Sequence, residues 1–309
     1  MPQNPPPLRL GTRGSKLARV QAGLVARILQ ERGTACEIVP VKTTGDRIVD
    51  RPLADAGGKG LFTKELEEAL LSGVIDLAVH SMKDVPTALP EGLTIAAILP
   101  REDPSDVFIA KCAGTLSELP AGARVGTSSV RRKAQVLRLR PDLECVPLRG
   151  NVDTRLAKLE AGETDAILLA LAGLKRLGAA ERVTSVLNPD EWLPSLAQGA
   201  IGIEVRLRDA RTASLIGALD DQAASIELEC ERAFQAALDG SCRTPIAGLA
   251  RVDGKRLSFR GEVIAQDGSD SASTEFEIQL SANPRLDAAR AGREAGAALR
   301  PRATRWLSL

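Results

Sequence analysis

Arg124-Val125-Gly126-Thr127-Ser128-Ser129-Val130-Arg131-Arg132 sets the architecture of this chain. An apolar lead ends at a Gly-Thr turn, two serines follow, then paired arginines, then a helical pattern through Leu139. This is a strand, a turn, and a helix that opens at Ser128 or Ser129. A helix start turns unpaired backbone N–H groups and the positive end of its dipole outward. Two hydroxyls and two guanidinium groups fall at the same place, which makes an anion site. The planar fork of arginine suits carboxylate or phosphate, and the turn alone does not choose between them.

Working outward, Arg9-Leu10-Gly11-Thr12 echoes Arg124-Val125-Gly126-Thr127, again with serine and basic residues at a helix start. Four matching positions leave common ancestry of the two halves open. Both turns lie at the carboxyl end of a strand, where open α/β sheets bind ligands. Strands are expected at 8–10, 36–41, 75–79 and 93–98, with helices at 15–31 and 60–72. A second run has strands near 106–110, 123–126, 143–147 and 165–169 and helices near 129–139, 151–161 and 171–177. This alternation predicts mostly parallel sheets flanked by helices. From about Asp220 the pattern changes to a helix over Ile226–Leu238, strands near 246–252, 256–265 and 273–280, and a final helix over 286–299. Asp253-Gly254 and Asp267-Gly268 between these strands are hairpin turns, so a small α+β domain with an antiparallel sheet closes the chain.

Composition excludes several functions. The net charge is +1 and aromatic residues make up 2% of the 309, so there is neither a global basic field for nucleic acid nor a platform for stacking bases. No apolar run approaches a membrane span, and Met1-Pro2-Gln3-Asn4-Pro5-Pro6-Pro7 lacks the apolar stretch of a signal peptide. Five cysteines without CxxC spacing point to reduced thiols in the cytoplasm, not to a disulfide frame or a zinc site. With one histidine, His80, a histidine-rich metal site is impossible.

Context separates the cysteines. Cys36, Cys112 and Cys145 lie in or at the ends of apolar strand segments, and Cys230 shares a helical stripe with Ile226, Ala233, Phe234 and Ala237. All four read as small buried hydrophobes. Cys242 follows Gly240-Ser241 and precedes Arg243, so it is expected on an exposed loop with its thiolate favoured, as a reactive or an incidental surface thiol. The stretch from Asp76 to Pro86 runs off a buried strand into a polar turn carrying Lys83 and Asp84. A carboxylate there faces the inter-domain cleft and can hold a cation or shuttle a proton, or it is a turn residue paired with its neighbour. His80 reads as a hydrogen-bonded structural residue before a general base. Gly57-Gly58-Lys59-Gly60 lacks the spacing of a phosphate loop and reads as a flexible lid with one lysine. Arg149-Gly150-Asn151-Val152-Asp153-Thr154-Arg155 repeats the strand-to-helix device, and Arg176 follows the apolar run Ala166–Leu171. Any one of Arg13, Arg131, Arg132, Arg149, Arg155 and Arg176 alone suits a solvated surface role. The set at comparable sheet edges suits a polyanionic ligand, each charge-assisted hydrogen bond contributing about 1.5–3 kcal/mol.

Eight segments together resemble the porphobilinogen deaminases, also called hydroxymethylbilane synthases. They are 9–21 (RLGTRGSKLARVQ), 43–66 with GGKGLFTKEL, 78–86 (AVHSMKDVP), 125–135 (VGTSSVRRKAQ), 148–156 (LRGNVDTRL), 168–178 (LLALAGLKRLG), 197–204 (AQGAIGIE) and 240–246 (GSCRTPI). The resemblance implies that four porphobilinogen units are joined head to tail, each losing ammonia, into a linear tetrapyrrole released by hydrolysis. Cys242 matches the residue that holds a dipyrromethane cofactor through a thioether, and Asp84 matches the catalytic carboxylate. Arg13, Arg131, Arg132, Arg149, Arg155 and Arg176 match residues that grip acetate and propionate groups. Ser15, Gln21, Lys59, Ser81, Lys83, Ser129 and Gln198 match positions lining the cleft, and the resemblance implies that Ser81, Lys83, Asp84, Ser129, Arg131, Arg132, Arg149 and Gly150 bind the cofactor. Asp55 departs from the family, which commonly carries Lys there; this puts the lid's part in carboxylate binding in doubt. The implied fold is two doubly wound lobes, like those of periplasmic binding proteins and transferrins, with a cleft between them. Residues 1–99 with 200–217 form the first lobe and 100–199 the second, and 218–309 form a C-terminal α+β domain with a three-stranded antiparallel sheet. A cytoplasmic monomer is expected, with no membrane or nucleic-acid partner and no metal.

Two rivals remain. A non-catalytic two-lobed anion-binding protein suits the architecture but not the Cys242 loop or the missing signal peptide. A cysteine-nucleophile transferase needs a base near Cys242, and the single histidine is far away in sequence.

Overall fold

Each of the two strand–turn–helix units lies inside a five-stranded sheet. The computed structural model describes residues 6–47, 60–238 and 244–307. The chain packs as two units, Met1–Arg101 with Ala200–Gln222, and Glu102–Gly199 with Ala223–Leu309.

In the first unit β1 (Leu8–Arg13) leads into α1 (Lys16–Glu31), β2 (Cys36–Val41), the short α2 (Thr44–Arg47), α3 (Lys64–Leu71), β3 (Leu77–Ser81) and β4 (Leu93–Ile98). A later segment supplies β10 (Ile201–Arg206) and α7 (Ala210–Gly217). The strand order is β2-β1-β3-β10-β4. α1 and α7 cover one face through Ala22, Val25, Leu29 and Ile216, and α3 covers the other through Leu66 and Leu70. Helices on both faces make the sheet doubly wound.

The second unit repeats the plan with β5 (Asp106–Ala110), β6 (Arg124–Gly126), α4 (Val130–Leu139), β7 (Glu144–Val146), α5 (Val152–Glu160), β8 (Ala166–Ala170), α6 (Leu171–Leu177) and β9 (Ser185–Val186), in strand order β7-β6-β8-β5-β9. The sequence echo has a structural counterpart. Asp76 takes the Arg9 N–H at 2.9 Å and gives its own N–H to the Arg9 carbonyl, and Asp165 does the same with Arg124 at 2.7 Å. Each carboxylate thereby fixes the start of the strand that leads into the turn, β1 or β6.

The sheets are less parallel than expected. β1 runs parallel to β2 and β3, but β10 is antiparallel to both its neighbours; likewise β6 is parallel to β7 and β8, while β5 is antiparallel to β8 and β9. β10 was not among the expected strands because Gly202 and Glu204 interrupt its apolar pattern.

The remainder of the second unit is α8 (Gln222–Ala237), the meander β11 (Ile246–Asp253), β12 (Arg256–Ile264) and β13 (Ser271–Gln279), and α9 (Pro284–Leu307). Gly254 and Gly268 take φ of 59° and 75° in the expected hairpin turns. Phe234 and Phe259 meet edge to face at 4.8 Å in the core. α9 runs past the expected end at 299 because Leu299, Ala303 and Trp306 continue its buried stripe.

The cysteine expectations need one correction. Cys230 is buried, and Cys36 and Cys145 are half-buried on the edge strands β2 and β7, but Cys112 is exposed because β5 ends at Ala110.

Helices α8 and α9 cross closely: a Cβ on Gly292 would lie 2.1 Å from the Cys230 carbonyl oxygen. Gly292→Leu is therefore expected to force the helices apart and to destabilise the protein by about 1–3 kcal/mol or more, read as a lowered midpoint in urea unfolding.

Candidate active site

In the first unit, β3 ends in a single tight helical turn, Met82–Asp84, and β1 ends at Arg13. Arg13 Nη1 lies 3.6 Å from Asp84 Oδ2, and its guanidinium stacks over the Phe62 ring at 3.9 Å. Ser15 caps α1, accepting the Ala18 N–H at 3.3 Å. Gln21 is buried, and its side-chain amide holds the Ser81 hydroxyl at 3.0 Å. Arg13, Ser15, Gln21, Phe62, Ser81, Lys83 and Asp84 thus line one cavity of about 90 Å³. His80 also lines it, with Nε2 3.0 Å from Glu204 Oε2 and both side chains buried, in keeping with a structural role. The cavity can hold a small polar group, with a carboxylate and a guanidinium on one wall.

In the second unit the helix start at Ser129 is as expected: its hydroxyl accepts the Arg132 N–H at 3.3 Å, and the Ser128 hydroxyl donates to the Leu148 carbonyl at 2.8 Å. Arg131 and Arg132 differ from the expectation. Both turn inward, 4% and 6% exposed, onto the fully buried Asp106. Arg131 Nη2 and Arg132 Nη2 each lie 2.7 Å from an Asp106 oxygen, and Trp192 Nε1 and Gln198 Nε2 donate to the same carboxylate at 2.9 and 2.8 Å. Burial alone would raise the Asp106 carboxyl, but the two guanidinium groups outweigh it and hold the group well below the usual carboxylate range. Burial lowers Arg131, and Asp106 opposes that shift. Two cations on one anion leave the cluster positive. Arg131 Nε and Arg132 Nε are buried without a hydrogen-bond partner among the described residues.

The other expected residues lie around these helix starts. Asn151 caps α5, and Gly150 takes φ of 111°, which favours glycine. Arg155 Nε donates to the Gly150 carbonyl at 2.9 Å. Arg149 is half-exposed and has no ion pair or hydrogen bond among the described residues. Arg176 Nη2 donates to the Gly199 carbonyl, and burial lowers this guanidinium. Gln198 lies against Asp106 and Pro104. Lys59, Asp55 and Cys242 lie outside the described residues.

Two family models match the chain: "Porphobilinogen deaminase, dipyromethane cofactor binding domain" over residues 8–214, and "Porphobilinogen deaminase, C-terminal domain" over 225–300. The porphobilinogen deaminase of Nitrobacter winogradskyi is 54% identical over 95% of this chain and 93% of its own length. That of Paracoccus denitrificans is 52% identical over 98% and 96%. The chain belongs to the porphobilinogen deaminase family. Among solved structures, a periplasmic substrate-binding protein of an ABC transporter from Coxiella burnetii gives a TM-score of 0.44 at 15% identity, over 70% of this chain and 92% of that one.

The residues suit the dipyrromethane cofactor of porphobilinogen deaminases, whose side chains are carboxylates. The arginine cluster is positive, and among the described residues two buried guanidinium N–H groups and Arg149 lack partners. Sequence reasoning missed Asp106, Trp192 and Phe62. Asp106 did leave a signal, a carboxylate heading the apolar run Val107-Phe108-Ile109, where a charge is placed only with a partner.

Asp106→Asn should destabilise the protein by about 3–5 kcal/mol at neutral pH, because two buried guanidinium groups lose their charge partner. A depressed carboxyl stabilises fully above its unfolded pKa and loses that contribution as pH falls toward the folded value. The stability gap between the natural protein and the variant should therefore narrow below about pH 4, as measured by denaturant titration across pH.

Proposed function

We propose that the two clusters divide the labour of a single reaction. The chain is a hydroxymethylbilane synthase, a transferase that joins four porphobilinogen units head to tail with loss of ammonia and releases the linear tetrapyrrole. The observation that carries this reading is the family match across both parts of the chain. The non-catalytic anion-binding alternative has no comparable support.

Attached by a thioether to Cys242, the dipyrromethane group supplies the pyrrole end on which assembly starts. Arg131, Arg132 and Arg149 would hold its carboxylates, with Ser129 and Gly150 shaping the helix starts beside them and Ser81 and Lys83 on the Asp84 side. Asp84 is assigned catalysis. As the aminomethyl C–N bond of porphobilinogen breaks and ammonia leaves, the remaining azafulvene is cationic. A fixed carboxylate accepting the pyrrole N–H stabilises that charge as it develops, and it can take up the proton released when the new C–C bond forms. Arg13 keeps Asp84 in place from 3.6 Å, a separation loose enough for substrate to enter the pair. Gln21 sets the rotamer of Ser81, Ser15 completes this wall, and Lys59 is assigned to substrate binding by the family resemblance. Arg155, Arg176 and Gln198 serve the growing chain, which gains two carboxylates per unit. Tethering keeps the growing chain in place between additions, so that only the incoming porphobilinogen has to bind anew.

The net charge of +1 and the 2% aromatic content support an enzyme that works without nucleic acid, and we assign it to the cytoplasm as a monomer. No helix among the described residues is long and apolar enough to cross a membrane.

Intact-mass measurement tests the assignment. The active protein should exceed its sequence mass by one dipyrromethane, and Cys242→Ser should lack that increment; an active enzyme of unmodified mass would refute the tether. Asp84→Asn should keep the increment but lose at least about a hundredfold in turnover, the usual contribution of a positioned acid–base group.

A further inference from the structure

The arginine cluster is framed by the segment Trp192–Gly199. The Leu193 carbonyl accepts Arg131 Nη1 and Gln135 Nε2, each at 3.0 Å, while Trp192 and Gln198 donate to Asp106. The other side of this segment is fastened to α8 and β11. β11 is an edge strand, so its outward N–H groups have no strand partner. Three of them, at alternate residues, are bonded elsewhere: Gly248 to the Pro194 carbonyl at 3.0 Å, Ala250 to Glu231 Oε1 at 2.8 Å, and Val252 to Glu227 Oε1 at 3.1 Å.

Glu231 reaches both ways. It is fully buried, and its second oxygen accepts the Ala197 N–H at 2.6 Å. Ala197 has φ of 59°, the only non-glycine with positive φ among the described residues. That conformation is costly for alanine and persists only where the surroundings impose it. Two residues on, Gly199 takes φ of 89°, and a Cβ there would lie 2.2 Å from the Glu102 carbonyl oxygen. Gln198 sits between these two constrained residues, and its amide is thereby aimed at Asp106.

We propose that Glu231 is a positioning residue for the arginine grip. By holding the Ala197 N–H it keeps the 195–199 turn in its left-handed form, presents Gln198 to Asp106, and so fixes the guanidinium groups of Arg131 and Arg132. This role presupposes that Arg131 and Arg132 hold carboxylates, as proposed above. Glu231 belongs to the helix that ends at Ala237, five positions before Cys242 in sequence. The helix that precedes the tether in sequence thus also sets the grip.

The test compares purified enzymes by intact mass and by steady-state kinetics with porphobilinogen. Glu231→Gln replaces one acceptor oxygen with a donor and leaves an N–H unmatched. It should raise KM on the order of tenfold, equivalent to about 1.4 kcal/mol, and lower the fraction of protein carrying the dipyrromethane mass. Adding Ala197→Gly should bring both back toward natural values, because glycine takes the left-handed conformation unaided. Ala197→Val, with Glu231 intact, should raise KM similarly. Glu227→Gln, on the same helix, disturbs the Val252 N–H bond but not the Ala197 N–H bond and should leave KM and loading unchanged. Natural KM and loading in Glu231→Gln or in Ala197→Val would overturn the proposal. So would a Glu231→Gln defect that Ala197→Gly does not relieve, since that is the signature of a merely structural carboxylate. Absence of the dipyrromethane mass from the natural protein would instead overturn the reading on which the proposal stands.

Discussion

Asp106 brings a negative charge to a fully buried position, and four donors meet it there: two guanidinium groups, an indole and a side-chain amide. Removing a carboxylate and two guanidinium groups from water costs several kcal/mol per ion, which only close pairing and saturated hydrogen bonding offset. Four donors at 2.7–2.9 Å fill the roughly four acceptor sites of a carboxylate. This arrangement fixes the start of α4, the head of β5 and the segment from Trp192 to Gln198 relative to one another. It also holds an excess positive charge in a fixed place, as the carboxylate grip proposed for Arg131 and Arg132 requires.

Comparison with Asp84 and Arg13 shows how one chemical pair serves two ends. Both pairs join a strand-end carboxylate to an arginine at the start of a crossover. The Asp106 pairs are buried and at 2.7 Å, whereas the Asp84 side chain is 33% exposed and 3.6 Å from its partner. The buried pairs are locked, and their role is to hold other groups. The exposed pair is loose and open to exchange, which suits the catalytic role proposed for Asp84. The same backbone device, an aspartate clasping an arginine at the start of a strand, underlies both units at Asp76 and Asp165. The local scaffold is common, and burial decides the chemistry.

Much of this was legible in the sequence because it is local. Ser15, Ser129 and Asn151 announce helix starts through a hydrogen bond that spans three residues, and all three cap as their neighbours suggest. The glycines at 254 and 268 mark hairpins for the same reason. What depended on tertiary contacts was not legible. The sequence places Arg131 and Arg132 at a helix start but cannot say that their side chains fold inward, since that is decided by Asp106, distant in the chain. β10 escaped notice because Glu204 is tolerated in an apolar strand only through its pairing with His80, again a tertiary fact. The positive φ of Ala197 has no sequence signature at all, because alanine does not favour it.

The central claim is that one chain grips a growing polycarboxylate while keeping it covalently tethered. Mass spectrometry of enzyme quenched during turnover of limiting porphobilinogen tests it most directly. The account predicts protein species rising above the cofactor-bearing mass in equal steps, each step one porphobilinogen less ammonia. Release of free tetrapyrrole from an enzyme that never shows those steps would contradict it.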